Sequence, residues 1–84
     1  MKEMDCVEII VDKKRYTTEG VHKGMQGWIC HFRSTDGYWV VNIPQYGAKP
    51  DIATISIHED DMRIIHRMDA GVNERIKAEH EKKN

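Results

Sequence analysis

Eighty-four residues with a formal net charge of -1 suit one small domain with a modest core and exclude a second domain of ordinary size. Charged residues reach 32% against 39% hydrophobic, so part of the chain must lie outside any core. No segment is strongly basic, which weighs against binding driven by bulk phosphate neutralisation. The opening Met1-Lys2-Glu3-Met4-Asp5 lacks the apolar run of a signal peptide, and nothing approaches the about 18 apolar residues of a membrane span. A cytoplasmic protein without a membrane partner is expected. Cys6 and Cys30 are too few and too far apart for a disulfide framework and are read as free thiols.

Cys6 to Val11 is rich in β-branched residues, with Val7, Ile9 and Val11 on one face and Glu8 on the other, which predicts a first strand. Asp12 to His22 is charged and carries Tyr16 and Gly20; it reads as a long excursion, the segment best placed for recognition. Gly24 and Gly27 bracket a sharp turn, where missing Cβ atoms permit positive φ and close backbone approach. A second strand is predicted over 28–33, and Asp36-Gly37 then signals a tight hairpin.

The third strand places Trp39, Val41 and Ile43 inward and Tyr38, Val40 and Asn42 outward, until Pro44 ends it for want of an N–H. After a second loop, Gln45 to Asp51, a fourth strand alternates Ala53, Ile55 and Ile57 with Thr54, Ser56 and His58. Glu59-Asp60-Asp61 suits a single 3₁₀ turn with Asp60 or Asp61 as its cap, before a closing strand at Met62 to His66. Beyond Asp69 the apolar periodicity fades. Asn73 is the expected cap of a helix over 74–82, with Arg75/Glu79, Lys77/Glu81 and Glu79/Lys83 at pairing distance. So short a helix with few apolar residues should fray, leaving the rest folded without it.

These elements predict an all-β chain: a small, partly open, five-stranded antiparallel barrel over 1–68 and a polar C-terminal tail, helical or disordered, over 69–84. The order of strand, long loop, Gly24-x-x-Gly27-x-Ile29, hairpin, two strands and an acidic single turn resembles the Src-homology-3 type of barrel. Lys23-Gly24-x-x-Gly27-x-Ile29 resembles the KOW element of ribosomal and transcription-elongation proteins, and the whole chain is similar to small bacterial barrel proteins of this type. The first loop offers only Tyr16 where proline-rich-peptide binders carry an Ala-Leu-Tyr-Asp-Tyr-like run, and Trp28 and Trp39 fall in different strands, so that specificity is not implied.

Ser56, His58 and Asp60 alternate on one face but sit roughly 7 Å apart, too far for the hydrogen bond that activates a serine. Cys30-His31 with Cys6, His58 and His66 matches no zinc spacing, and adjacent strand residues face opposite ways. No enzyme, metal or cofactor is expected. Trp28, Cys30 and Phe32 share one face of the second strand, which must either turn a large apolar face outward or contain a bulge.

An outward Trp28 beside Tyr38 would form an aromatic platform. The leading expectation is a non-enzymatic protein-binding module using Tyr16, Trp28, Tyr38 and Tyr46, acting as a monomer or weak homodimer. A KOW-like ribosome- or nucleic-acid-associated module would use Lys13, Lys14, Arg15, Lys23 and Arg33. A third class is a small inhibitor, immunity protein, antitoxin or phage-encoded regulator.

Overall fold

The computed structural model describes residues 1–82. Five antiparallel strands form one sheet in the order β4-β3-β2-β1-β5: β1 Cys6–Ile9, β2 Gln26–Ile29, β3 Tyr38–Ile43, β4 Ala53–His58 and β5 Met62–Ile65. The sheet is not closed, and β4 and β5 are its two edges. A single helical turn, α1 (Lys14–Thr17), interrupts the first loop; a 3₁₀ turn, Glu59–Asp61, joins β4 to β5; and α2 spans Ala70–Lys82.

The period-two alternation sorts β1 to β4, while in β5 Ile64, opposite buried Val7, is 54% exposed. Val7 and Ile9 of β1, Ile29 of β2, Trp39, Val41 and Ile43 of β3 and Ile57 of β4 are buried together with Val21, Met25 and Met62, and Val11, Ala53 and Ile55 pack against them. Asn42 is the exception on the outward register. It is buried because its Nδ2 donates to Asp51 Oδ2 at 2.7 Å and to Thr54 Oγ1 at 2.9 Å.

Two glycines hold the start of β2. Gly24 takes φ +94°, a conformation that costs other residues strain. Gly27 has no such φ, but a Cβ there would lie 2.0 Å from the Asn42 carbonyl oxygen, so β2 and β3 cross at a distance only glycine allows.

The second strand stops at Ile29, short of the expected Arg33. The register pairing Ile29 with Val41 and that pairing Thr35 with Tyr38 differ by three residues, all on the first arm, and those residues leave the ladder. The hairpin itself closes as expected. Thr35 and Tyr38 exchange backbone hydrogen bonds at 2.9 and 3.0 Å around Asp36 (φ 52°) and Gly37 (φ 81°), a type I′ turn.

The C-terminal segment is a docked helix. Asp69 caps it, its Oδ1 accepting from Gly71 N–H at 2.8 Å, so the helix begins four residues before the expected position. Asn73 lies one turn inside, fully buried: its Oδ1 accepts from Gln26 N–H at 2.7 Å, and its Nδ2 donates to the carbonyls of Gln26 (2.7 Å) and Pro44 (2.8 Å). Ala70 is buried on the same side and Ile76 packs against the core. Of the expected helix pairs, Lys77 and Glu81 stand 3.9 Å apart, and Glu79/Lys83 lies outside the described residues.

Candidate functional site

Three elements converge where the first loop meets the β2–β3 turn and the 3₁₀ turn. Tyr16, expected to face a partner, is instead only 1% exposed. Its hydroxyl donates to Asp61 Oδ2 at 2.6 Å and accepts from His58 N–H at 3.1 Å, while Lys13 Nζ lies 2.9 Å from Asp61 Oδ1. The single turn of α1 brings this about, rotating Tyr16 inward and leaving Lys14 and Arg15 outside. Burial, then the Asp61 hydrogen bond, push the Tyr16 phenol up to about 12. Burial pushes the Asp61 carboxyl up, but the bonds from Tyr16 and Lys13 outweigh it and hold the group below its usual range. Asp61 is thus a buried anchor of the first loop, and the cap of the 3₁₀ turn is His58, whose Nδ1 accepts from Asp60 N–H at 3.1 Å.

Over this anchor lies a layer of exposed and half-buried groups. Arg15 donates from Nη1 to the Tyr38 hydroxyl and holds its guanidinium 4.9 Å from the Tyr38 ring centre. Tyr38 in turn meets the edge of His58 at 5.0 Å. The Gly37 carbonyl accepts from Glu59 N–H at 2.8 Å, tying the hairpin to the 3₁₀ turn.

Along β3 the outward positions continue from Tyr38 through Val40 to Asn42. Trp28 pairs with Asn42, and Cys30 N–H donates to the Val40 carbonyl at 3.0 Å. On the other side of β2, Trp28 pairs with Cys6, which pairs with Ile65. Cross-strand partners share a face, so Ile65, Cys6, Trp28, Cys30, Val40 and Tyr38 form one outward apolar stripe, each residue half-buried. Trp28 and Tyr38 are four positions apart in register, about 13 Å along the strand, with Val40 between them. They bracket a stripe rather than forming the compact platform expected. Beyond it, Phe32 is 61% exposed in the looped-out segment, stacked on His31 at 5.1 Å with the Arg33 guanidinium 4.9 Å from its ring.

Tyr46 belongs elsewhere. Exposed in the second loop, it donates its hydroxyl to Asp69 Oδ1 at 2.9 Å, which pushes the Tyr46 phenol up and the Asp69 carboxyl down. The basic residues also separate by role. Lys13 is spent on Asp61; Lys14 and Arg15 lie on α1; Lys23 borders a shallow hollow with Glu8, Ile10 and Arg63; Arg33 covers Phe32.

A second concave feature was not foreseen, because it needs the helix. Glu19, Gly20 and His22, the loop 45–52 and the last turns of α2 enclose a cleft of about 350 Å³. In its wall the His22 and His80 rings stack at 3.5 Å, nearly parallel. Burial, then the neighbouring His80, hold the His22 imidazole below its ordinary value, against the pull of Asp12. Among the described residues no three His, Cys, Asp or Glu side chains are grouped to hold a metal ion, and no helix is long and apolar enough to cross a membrane.

Comparison with protein-family models, curated proteins and solved structures finds no match for this chain.

Proposed function

We propose that this chain is a non-enzymatic binding module of the Src-homology-3 type that engages a protein partner through the outward face of its central strands. The strand order, the long first loop and the 3₁₀ turn between the last two strands support the barrel type. The observation that carries the binding reading is the stripe Ile65–Cys6–Trp28–Cys30–Val40–Tyr38. The outward face of an antiparallel sheet ordinarily alternates to polar residues once its inner face is packed. Here the inner face is full, yet the part of the outward face formed by Cys6, Trp28, Cys30, Val40 and Tyr38 is apolar and aromatic, with Glu8, Gln26 and Asn42 as the polar positions beside it. Arg15 on Tyr38, and Phe32 beyond, add the Arg and aromatic chemistry in which interface hot spots are enriched.

Two unpaired thiols, Cys6 and Cys30, on that same face suit a reducing compartment, in keeping with a cytoplasmic role. A small inhibitor, antitoxin or immunity protein would be a special case of the same reading, since it too acts through a protein-facing surface. The KOW-like nucleic-acid reading draws less support, because Lys13 is paired with Asp61, Arg33 covers Phe32 and Lys23 borders a separate hollow.

Affinity capture with nuclease treatment, comparing the native chain with Val40→Arg, tests the proposal. A partner retained through nuclease and lost with Val40→Arg is expected. Retention that nuclease abolishes would favour the nucleic-acid reading.

A further inference from the structure

The cleft between the first loop, the second loop and α2 has walls fixed by specific bonds. Tyr46 ties the second loop to Asp69 at the helix start, Lys49 pairs with Glu74, and Gln45 Nε2 donates to the Pro50 carbonyl at 2.9 Å. Asn73 anchors the helix itself, and the His22–His80 stack joins its last turns to the first loop. The space is thus built by three elements rather than left between mobile ones.

Its chemistry is uneven. Pro50 and Ile52 supply apolar lining, and Ile52 packs on the core; at Gly20 a Cβ would stand 3.5 Å from the Ile52 Cγ2 methyl. Carboxylates from Glu19, Asp51 and Glu81 line the cleft against a single lysine, Lys77, which lies 3.9 Å from Glu81. Asp51 is oriented by Asn42 through Oδ2, and among the described residues neither Glu19 nor Asp51 lies within ion-pair distance of a cation. Three carboxylates against one lysine leave the lining rich in negative charge.

We propose that this cleft receives an arginine side chain presented by a protein partner, its guanidinium against Glu19 and Asp51 and its methylene stem over Ile52 and Pro50. A planar guanidinium matches two carboxylates as a fork and stacks on imidazole, whereas an ammonium is a compact, strongly hydrated point charge. The apolar lining suits the stem. About 350 Å³ lies at the small end of ligand sites, room for one long side chain rather than a dinucleotide. The proposal rests on the protein-binding reading but shares no residue with the Trp28 stripe, so the two can fail separately.

The test is a titration of the full-length protein, followed by amide NMR at low salt, with acetyl-Gly-Arg-Gly-amide and its lysine and citrulline counterparts. Saturable shifts at Gly20, Ile52 and His80 are expected with the arginine peptide. The citrulline peptide, and the Glu19→Gln and Asp51→Asn variants with the arginine peptide, should each bind about tenfold more weakly, in keeping with loss of a charge-assisted hydrogen bond. Glu19 is exposed, so Glu19→Gln leaves the fold intact and keeps the comparison valid.

Equal binding of arginine and citrulline peptides, or shifts confined to other residues, would overturn the proposal. So would free arginine binding far more tightly than the blocked peptide, which would assign the cleft to a metabolite, or peptide-free shifts at these residues that vary with protein concentration, which would assign it to a second copy. No arginine binding, with Trp28-dependent capture retained, removes the cleft proposal alone; loss of both removes the module reading as well.

Discussion

Asn73 of the C-terminal helix and Pro44 at the end of β3 form one hydrogen-bonded unit: the Asn73 Nδ2 donates to the Pro44 carbonyl at 2.8 Å and to that of Gln26 at 2.7 Å. Pro44 has no N–H to offer Gln26, so the β2–β3 ladder would stop with open backbone groups. The Asn73 amide supplies the missing rung, both accepting from Gln26 N–H and donating to its carbonyl. Gln26 reciprocates, its Oε1 accepting from Asp69 N–H at 2.8 Å.

Asn73→Ala is therefore expected to destabilise the protein by about 2–4 kcal/mol, because it leaves three backbone groups without partners. Chemical denaturation measures the loss, and amide exchange across 70–82 should rise with it. A change below about 0.5 kcal/mol, the level of an ordinary surface substitution, would show that the amide is dispensable.

The two glycines before and within β2 should respond in an order that backbone angles alone do not suggest. Gly24 occupies φ +94° and a Cβ there would meet only the flexible tip of Ile76 at 3.1 Å, so Gly24→Ala should cost about 1–2 kcal/mol. Gly27→Ala would drive a methyl into the Asn42 carbonyl and should cost about 3 kcal/mol or more. Thermal unfolding of the two variants side by side checks the ranking; equal midpoints would contradict it.

Much of this was legible from pattern. Alternation in Val7–Ile9, Trp39–Ile43 and Ala53–Ile57 placed the inner face, and Asp36-Gly37 placed the hairpin, because turn chemistry and period-two burial are local properties. The helix was misjudged for a physical reason: it docks mainly by the side-chain amide of Asn73, and a measure of apolar periodicity scores asparagine as solvent-facing. Tyr16 was misplaced because its burial depends on Asp61, 45 positions away, whose own burial is made affordable by Tyr16 and Lys13. The cleft was invisible for the same reason as the helix contact, being formed only when α2 meets both loops.

The Tyr16–Asp61 pair should leave its mark at both ends of the pH scale. Tyr16 keeps its proton in the folded state up to about 12 while the unfolded chain loses it near 10.0, so its contribution is complete below pH 10 and lost as pH rises between these values. Asp61 is depressed below 3.8, so its contribution is complete above that value and lost as pH falls through its folded pKa. Tyr16→Phe should reduce stability at neutral pH by about 1–3 kcal/mol and flatten the alkaline limb. A stability difference between the two proteins that stays constant from neutral pH to pH 12 would contradict the assignment.

At the other end of α2, acidification should loosen the His22–His80 stack. The folded state holds His22 below its ordinary 6.5, so its contribution is complete above that value and fades as pH falls toward the folded pKa. Glu19, Asp51 and Glu81 facing the stack oppose this and Lys77 reinforces it. Amide exchange at 78–82 should quicken as pH is lowered, after correction for intrinsic rates, and His80→Gln should reduce the change. A response in His80→Gln equal to that of the native chain would contradict the coupling.

The protein-binding role proposed for the outward stripe is checked by measuring the affinity of the captured partner for Trp28→Ala and, separately, for the paired change Lys14→Ala and Arg33→Ala. Trp28→Ala is expected to lose about 2 kcal/mol or more, the scale of an interface hot spot, with little effect from removing the two basic residues. An unchanged affinity in Trp28→Ala would contradict that role, as would submicromolar RNA binding of the isolated chain that falls steeply with salt and whose salt slope drops by about one for each basic residue removed.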